Sequence, residues 1–398
     1  MEKTYFNFSA FAYMLFLNGL FGISFMCKNY FRLAAILLMF AFLFIQIWKR
    51  FPYKIPIALY TLFVLFSCIY SVFYNGQSFY RVILASFPVW GLMSYYGLFL
   101  FRMNSTQTLK LILALCFLFV ICYVIQWTTF PKIIFSGGFD EFSANEDHYR
   151  MRMVSSICCY LLYFFGLCKL MTQRKLIYLV FIVMGGFPMI MMGFRSLIGL
   201  SIFFTLIMLL NIYQVSLRII VAICVAGFLL WGATQIPLVQ DKIDEMMERQ
   251  ENQQTFANSD YVRYIEYDYF TNQIFTKPGE KFWGGGYPSG ENSYGRFLMN
   301  KAPMFGMCWN DLGLISLSWV IGIPAVCLLS FVVLLCAWRC KEDDLLFVRY
   351  ALLVAFVGSI GTSQEIFRQG NMIVMGLLFY YEFIYHREKA SKEIEAEA

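Results

Sequence analysis

Apolar segments long enough to cross a bilayer recur along almost the whole chain, and they restrict its fold more than any other feature, because a spanning helix needs about twenty such residues. They fall near 8–26, 33–48, 55–74, 82–101, 109–127, 153–172, 176–193, 196–213, 218–236, 312–338, 346–362 and 371–385. Lipid offers the backbone no hydrogen bonds, so open segments of this kind must be helical. The expected fold is all-α: a polytopic membrane helical bundle of about 12 transmembrane helices with one large extracytoplasmic loop. Charged residues make up only 14% of the chain and aromatic residues 20%, a balance outside the soluble range. Met1 to Thr4 run into an apolar stretch without a small-residue cleavage site, which reads as an uncleaved signal anchor.

Lysine and arginine set the orientation. With the N-terminus in the cytoplasm, sixteen of the 31 Lys and Arg lie inside, eight in short outer loops and seven in the one long loop. Both termini are then cytoplasmic. The chain divides into transmembrane helices 1–9 over residues 1–236, the extracytoplasmic loop over 237–311, helices 10–12 over 312–385 and a charged tail over 386–398. The net charge of +6 is scattered between apolar runs instead of gathered on one face, which argues against a nucleic-acid partner. Nine of the 12 cysteines sit inside apolar segments as small hydrophobes, with no disulfide framework or zinc spacing.

Two outer segments are too long for tight connections, 128–152 and 237–311, and loops of such length usually have a function. In the second, Val239, Ile243, Met246 and Met247 recur at helical spacing, as in a helix lying on the membrane surface. Ser259 is placed to cap a further helix from Asp260 to Phe275. The run Gly284-Gly285-Gly286-Tyr287-Pro288-Ser289-Gly290 excludes regular helix and is expected to fold back toward the membrane. In the first loop, Asp140 to His148 gathers carboxylates and one histidine without an EF-hand spacing, and reads as a solvated acidic loop.

Arg195 is the sharpest candidate for chemistry, because residues 176–213 hold no other charge and Gly193-Phe194-Arg195-Ser196 occupies the outer turn of a helical hairpin. An ionisable residue at such a place marks function by default, against the plainer account of a side chain snorkelling to headgroups. Its planar, permanently charged fork suits phosphate. Arg263 lies among Tyr261, Tyr264 and Tyr267, where Tyr264 and its neighbours either stack on sugar rings or bury the helix; an Arg263 to Glu266 pair on a solvated face is the alternative. Asp311 opens the tenth span as a general-base candidate, or as a helix N-terminal carboxylate favoured by the macrodipole. Glu365 and Arg368 share one short loop three residues apart, placed to pair with each other, and Arg296, Arg150 and Arg152 are further outer cations. No Walker or dinucleotide motif occurs, and no cofactor is expected.

The pattern of helices, one long late outer loop and outer arginines resembles the O-antigen polymerase and O-antigen ligase superfamily of bacterial envelopes. The residues that carry the likeness are Met192-Gly193-Phe194-Arg195-Ser196, Asp260-Tyr261-Val262-Arg263-Tyr264, Phe282-Trp283-Gly284-Gly285-Gly286, Trp309-Asn310-Asp311-Leu312-Gly313-Leu314 and Gly322-Ile323. The resemblance implies a metal-independent membrane glycosyltransferase of the bacterial inner membrane, polymerising undecaprenyl-pyrophosphate-linked repeat units. It implies that Arg195 and Arg263 grip the pyrophosphate, that Asp311 orients or deprotonates the attacking hydroxyl, and that Arg296, Arg368, Glu365 and Tyr264 bind substrate. A chain-length regulator and a flippase, with membrane lipids, are the implied partners. The ligases commonly carry a histidine near Asn310-Asp311, which favours polymerase over ligase. Metal-dependent oligosaccharyltransferase relatives need an acidic motif in the first outer loop, and Cys27 to Arg32 contains no carboxylate. A flippase or transporter would instead show repeated halves and charges lining a cavity through both leaflets. On this reading Arg195→Lys loses most polymerising activity, since an ammonium does not reproduce bidentate phosphate contact; unchanged polymer length in that variant would remove Arg195 from the mechanism.

Overall fold

The computed structural model describes residues 5–129, 132–135, 153–193, 195–213, 265–277, 279–290, 292–302, 308–360, 365–368 and 370–397. The expected ninth span, the surface helix near Val239, the acidic loop around His148, and Arg150, Arg152, Arg263 and Tyr264 lie outside these residues. Among the described residues the protein is all-helical, with no strand and a single isolated antiparallel bridge from Ile23 to Phe135. The first eight helices are α1 (Phe8–Leu17), α2 (Asn29–Gln46), α3 (Lys54–Asn75), α4 (Phe79–Ala85), α5 (Phe87–Phe101), α6 (Ser105–Thr129), α7 (Ile157–Gln173) and α8 (Tyr178–Met191). They are followed by α9 (Arg195–Tyr213), α10 (Leu314–Ile321), α11 (Ile323–Arg339), α12 (Leu346–Gly358) and α13 (Asn371–Glu397).

Three of these, α2, α3 and α6, are long and apolar enough to cross a membrane, and α4 with α5 makes a fourth if that pair, bent by 64°, counts as one span. Among the described residues six shorter apolar helices accompany them, α1, α7, α8, α9, α11 and α12, together with the short α10 and the long α13. Large apolar side chains point outward from the long helices, among them Leu37 and Phe44 on α2 and Leu59, Leu62 and Phe73 on α3. In water such a surface invites association, whereas hydrocarbon solvates it.

Besides the span bent between α4 and α5, two further expected spans are interrupted. The first ends at Leu17, where Gly19, Leu20, Phe21 and Gly22 all take positive φ. The tenth is cut by Gly322 (φ 89) into α10 and α11, with Pro324 in the first turn of α11 where its missing N–H costs nothing. A break of this kind leaves carbonyls without helical partners. The glycine-rich segment answers it: Gly285 N–H donates to Trp319 O (2.6 Å) and Gly286 N–H to Val320 O (2.9 Å), while Ser67 Oγ on α3 also donates to Val320 O (2.5 Å). The segment therefore folds back into the bundle as its composition suggested.

Two faces follow from the contacts. The terminal face gathers the start of α1, the α5–α6 connection and the end of α13, through Asn7 Nδ2 to Phe101 O (3.4 Å) and Ser105 to Glu388. Lys389 donates to Glu342 there (2.7 Å) and holds that carboxyl below its ordinary value. The contact thus adds stability above the ordinary carboxylate range, and this is lost as pH falls through the lowered value. The loop face holds the end of α3, the glycine-rich segment, the start of α7 and the α12–α13 connection.

Glycine is required where the segment meets the break. A Cβ on Gly284 (φ +85) would lie 2.4 Å from Val320 O, and one on Gly322 2.3 Å from Phe282 O. Gly284→Ala is therefore expected to cost more than about 1 kcal/mol, read as a lowered thermal midpoint in detergent. Gly290→Ala, where an added Cβ meets nothing within 4 Å, is expected to leave the midpoint unchanged.

Candidate functional site

The end of α12 is a junction. The Leu197 side chain, in the first turn of α9, lies where a Cβ on Gly358 would come within 2.4 Å of its Cδ2. The next residue, Ser359, accepts Leu314 N–H on its carbonyl (2.6 Å) and Ile366 N–H on its hydroxyl (2.8 Å). Three segments expected to carry chemistry thus meet at one place. Arg195, described by its backbone alone, opens α9 two residues before Leu197; Asp311 lies three residues before Leu314; Glu365 is next to Ile366.

Beside this junction lies a buried polar cluster. Glu365 is 0% exposed, accepts hydrogen bonds from Ser156 Oγ and Tyr160 OH (3.3 Å), and pairs with Arg368 Nη2 at 3.2 Å. Asn371 fixes the frame: its Nδ2 donates to Glu365 O (2.6 Å) and Ser156 Oγ (3.0 Å), and its Oδ1 accepts Ile157 N–H (3.0 Å). Ser155 Oγ continues the network to Asn18 Oδ1 at 2.6 Å. Burying a carboxylate removes its water, and here Arg368 and two hydroxyl donors stand in that water's place. The arrangement can hold a proton acceptor in fixed orientation and present a guanidinium to an anion.

Asp311 is half-buried in a 3₁₀ turn, Trp309–Leu312, anchored by Trp309 edge-on to Tyr287 at 5.7 Å. Arg296 is exposed and lines a separate cleft of about 660 Å³ at the end of α3, with Lys277, Glu280 and Tyr74. Glu266 is buried at 2% exposure and accepts Cys308 N–H at 3.1 Å. Glu266 is therefore not on a solvated face, and Arg263, the other member of that expected pair, lies outside the described residues. Among the described residues no group of three or more His, Cys, Asp or Glu is placed to hold a metal ion.

The sequence reading missed Ser156, Tyr160 and Asn371, since hydroxyl and amide groups in apolar helices are common and nothing local marks them. It also missed Lys277, Glu280 and Tyr74, which come together only through the fold. On the terminal face it missed Glu382, 0% exposed, which accepts from Tyr53 OH (2.8 Å) and Arg339 Nε (2.5 Å). That carboxylate had a legible sign: it interrupts the run Phe379-Tyr380-Tyr381-Glu382-Phe383-Ile384.

No family model, curated protein or solved structure matches the chain. The energetics of the buried pair are directly testable. Glu365→Leu removes the carboxylate that faces Arg368, whose side chain is only 15% exposed, and is expected to destabilise the protein by up to about 3 kcal/mol. The double variant Glu365→Leu/Arg368→Leu is expected to recover part of that loss, measured by denaturant unfolding in detergent; equal loss in both would show that the pair is not coupled.

Proposed function

We propose that the protein is a metal-independent membrane glycosyltransferase that polymerises undecaprenyl-pyrophosphate-linked oligosaccharide repeat units into a surface polysaccharide, working at the outer face of a bacterial inner membrane. In this reading the chain has about twelve spans, both termini are cytoplasmic, and the loop face is the outer one. The observation that supports it is the junction at Gly358 and Ser359, which places the first turn of α9, the Asp311 turn and the buried Glu365–Arg368 pair at one end of an apolar bundle. Phosphate chemistry and proton transfer at a membrane boundary need those parts together.

The reaction forms a bond between an acceptor hydroxyl oxygen and the anomeric carbon of the donor glycan as the carbon–oxygen bond to the lipid pyrophosphate breaks. The proton passes to a carboxylate, Asp311 or Glu365, and the negative charge that develops on the departing pyrophosphate is met by Arg195, Arg263 and Arg368. Prepositioned donors that stabilise such a developing charge usually contribute more to the rate than any other single effect. Tyr264 and Arg296 contribute to substrate binding. The repeat unit's lipid carrier, supplied by a flippase, approaches through the bilayer.

A flippase or transporter is the second reading, favoured by the helix broken at Gly322 and by a buried carboxylate paired with an arginine at each face, Glu365 with Arg368 and Glu382 with Arg339. Against it, the carbonyls of the break are taken by Gly285 and Gly286. Between the two pairs, Met372, Ile373, Val374, Met375, Leu377 and Leu378 on α13 are buried among apolar neighbours instead of lining a polar path.

The test is the length distribution of surface polysaccharide in a host deleted for the gene and complemented with wild type, Arg195→Ala or Glu365→Gln. The expected outcome is single repeat units on the lipid carrier in the deletion, a full ladder with wild type, and at least about 100-fold less polymer with Arg195→Ala. Long polymer left unattached would make the protein a ligase instead; an unchanged ladder in the deletion would end both assignments.

A further inference from the structure

At the terminal face, the corner where α3 begins and α11 ends gathers cations without acidic partners. Lys49 and Arg50 are exposed between α2 and α3, Lys54 opens α3, and Lys341 follows α11. Tyr53 joins the two stretches: its hydroxyl donates to Glu382 (2.8 Å), and its ring lies 6.0 Å from the Arg339 guanidinium. Among the described residues none of the four cations forms an ion pair. Lys54 Nζ donates to a backbone carbonyl, Lys49 O at 3.1 Å, and Lys341 Nζ lies 4.2 Å over the Trp338 ring. The nearby carboxylates are engaged elsewhere: Glu382 with Arg339 (2.5 Å), Glu342 with Lys389 (2.7 Å) and Asp344 with Lys169 (2.5 Å). Asp343 is turned toward α7, where its carbonyl accepts Cys168 Sγ (2.9 Å).

Two apolar stripes lead away from this corner. On α11, Cys327, Phe331, Leu334 and Trp338 are exposed at intervals of three and four residues, which is one face of a helix. On α3, packed against α11, the exposed side chains are Ile55, Leu59 and Leu62. Phe331 to Trp338 spans about 10 Å along the helix axis, most of one leaflet's share of a hydrocarbon core of about 30 Å. Trp338, 61% exposed, closes the stripe where indole rings settle at headgroup level. Any lipid tail can cover the stripes, but only a headgroup with net negative charge supplies the counter-charge that the cations lack. A lysine held over an indole keeps its outer side open to an anion.

We propose that this corner holds an anionic phospholipid of the adjoining leaflet, with its phosphate between Lys54 and Lys341 and its acyl chains on the stripes of α3 and α11. Such a lipid binds whatever reaction the protein performs. It braces the α3–α11 pair, whose other ends carry the Asn75 contact to Gly285 and the break at Gly322.

The experiment uses the full chain purified in detergent and mixed with equal amounts of phosphatidylglycerol and phosphatidylcholine of matched acyl chains, with retained lipids counted by native mass spectrometry. Phosphatidylglycerol is expected to be retained about 10-fold or more over phosphatidylcholine. Lys54→Ala and Lys341→Ala should each lower that preference by about 5-fold, Lys341→Arg should keep it, and Trp338→Ala should weaken retention of both lipids. Lys175→Ala, which removes an exposed cation of the α7–α8 connection, should leave the preference unchanged. Lys54 and Lys341 hold no carboxylate, so their variants are expected to keep the wild-type thermal midpoint. Equal retention of the two lipids, or a preference that Lys54→Ala and Lys341→Ala do not alter, would overturn the proposal. An equal loss in Lys175→Ala would make the attraction a property of the whole boundary and overturn it too. A dimer retaining neither lipid would show that a second copy covers this face instead.

Discussion

Where water is absent, a backbone amide or carbonyl must find its partner inside the protein, and the loop face is organised around that requirement. Gly322 stops α10 after eight residues, and Trp319 and Val320 would be left with unsatisfied carbonyls. Gly285 and Gly286 bring their amides to these groups, Ser67 adds a hydroxyl, and Asn75 and Gln77 hold the incoming segment from α3. Residues more than two hundred positions apart thus close one hydrogen-bond network. The cleft on one side and the Trp309–Leu312 turn on the other take their positions from it, because Tyr294 OH donates to Gly286 O (3.0 Å) and Tyr287 contacts Trp309.

The second organising element is α13. It is preceded by the Glu365–Arg368 pair at the loop face and carries Glu382, paired with Arg339, at the terminal face. Between them its side chains fill the middle of the bundle and lie against the Gly91 to Leu98 stretch of α5, where a Cβ on Gly91 would meet Ile373 at 2.8 Å. Along α13 and the loop before it, the described charges lie at the two ends of the apolar stretch Met372 to Tyr381, and the stretch itself is left to dispersion contacts. This division lets a buried carboxylate be stabilised at the loop face without opening the hydrocarbon layer.

Much of the architecture was legible because hydropathy over twenty residues is a strong signal: the segments 33–48, 55–74 and 109–127 return as Asn29–Gln46, Lys54–Asn75 and Ser105–Thr129. The interruption at Gly322 was not, since Gly322 and Pro324 sit inside a continuously apolar run and the groups that satisfy the break lie elsewhere in the chain. For the site, single charges in apolar settings were visible, so Arg195, Asp311, Glu365 and Arg368 could be named. Their convergence was invisible, because it depends on a serine, Ser359, whose carbonyl and hydroxyl each bind a different segment. Lys277 appeared as one of seven Lys and Arg in a long loop, and only the fold turns it into the tie between that loop and α3.

The short length of α10 carries a consequence for how the protein is made. Eight helical residues extend about 12 Å, well short of a hydrocarbon core of about 30 Å. In lipid this half-helix leaves backbone groups unmet until its partners are in place: α11, synthesised just after it, and the glycine-rich segment, synthesised just before it. Closure of the glycine-rich segment onto Trp319 and Val320 therefore waits until α10, later in the chain, has been synthesised. Until then the segment's own amides and the carbonyls of Trp319 and Val320 lack the partners they have in the folded chain.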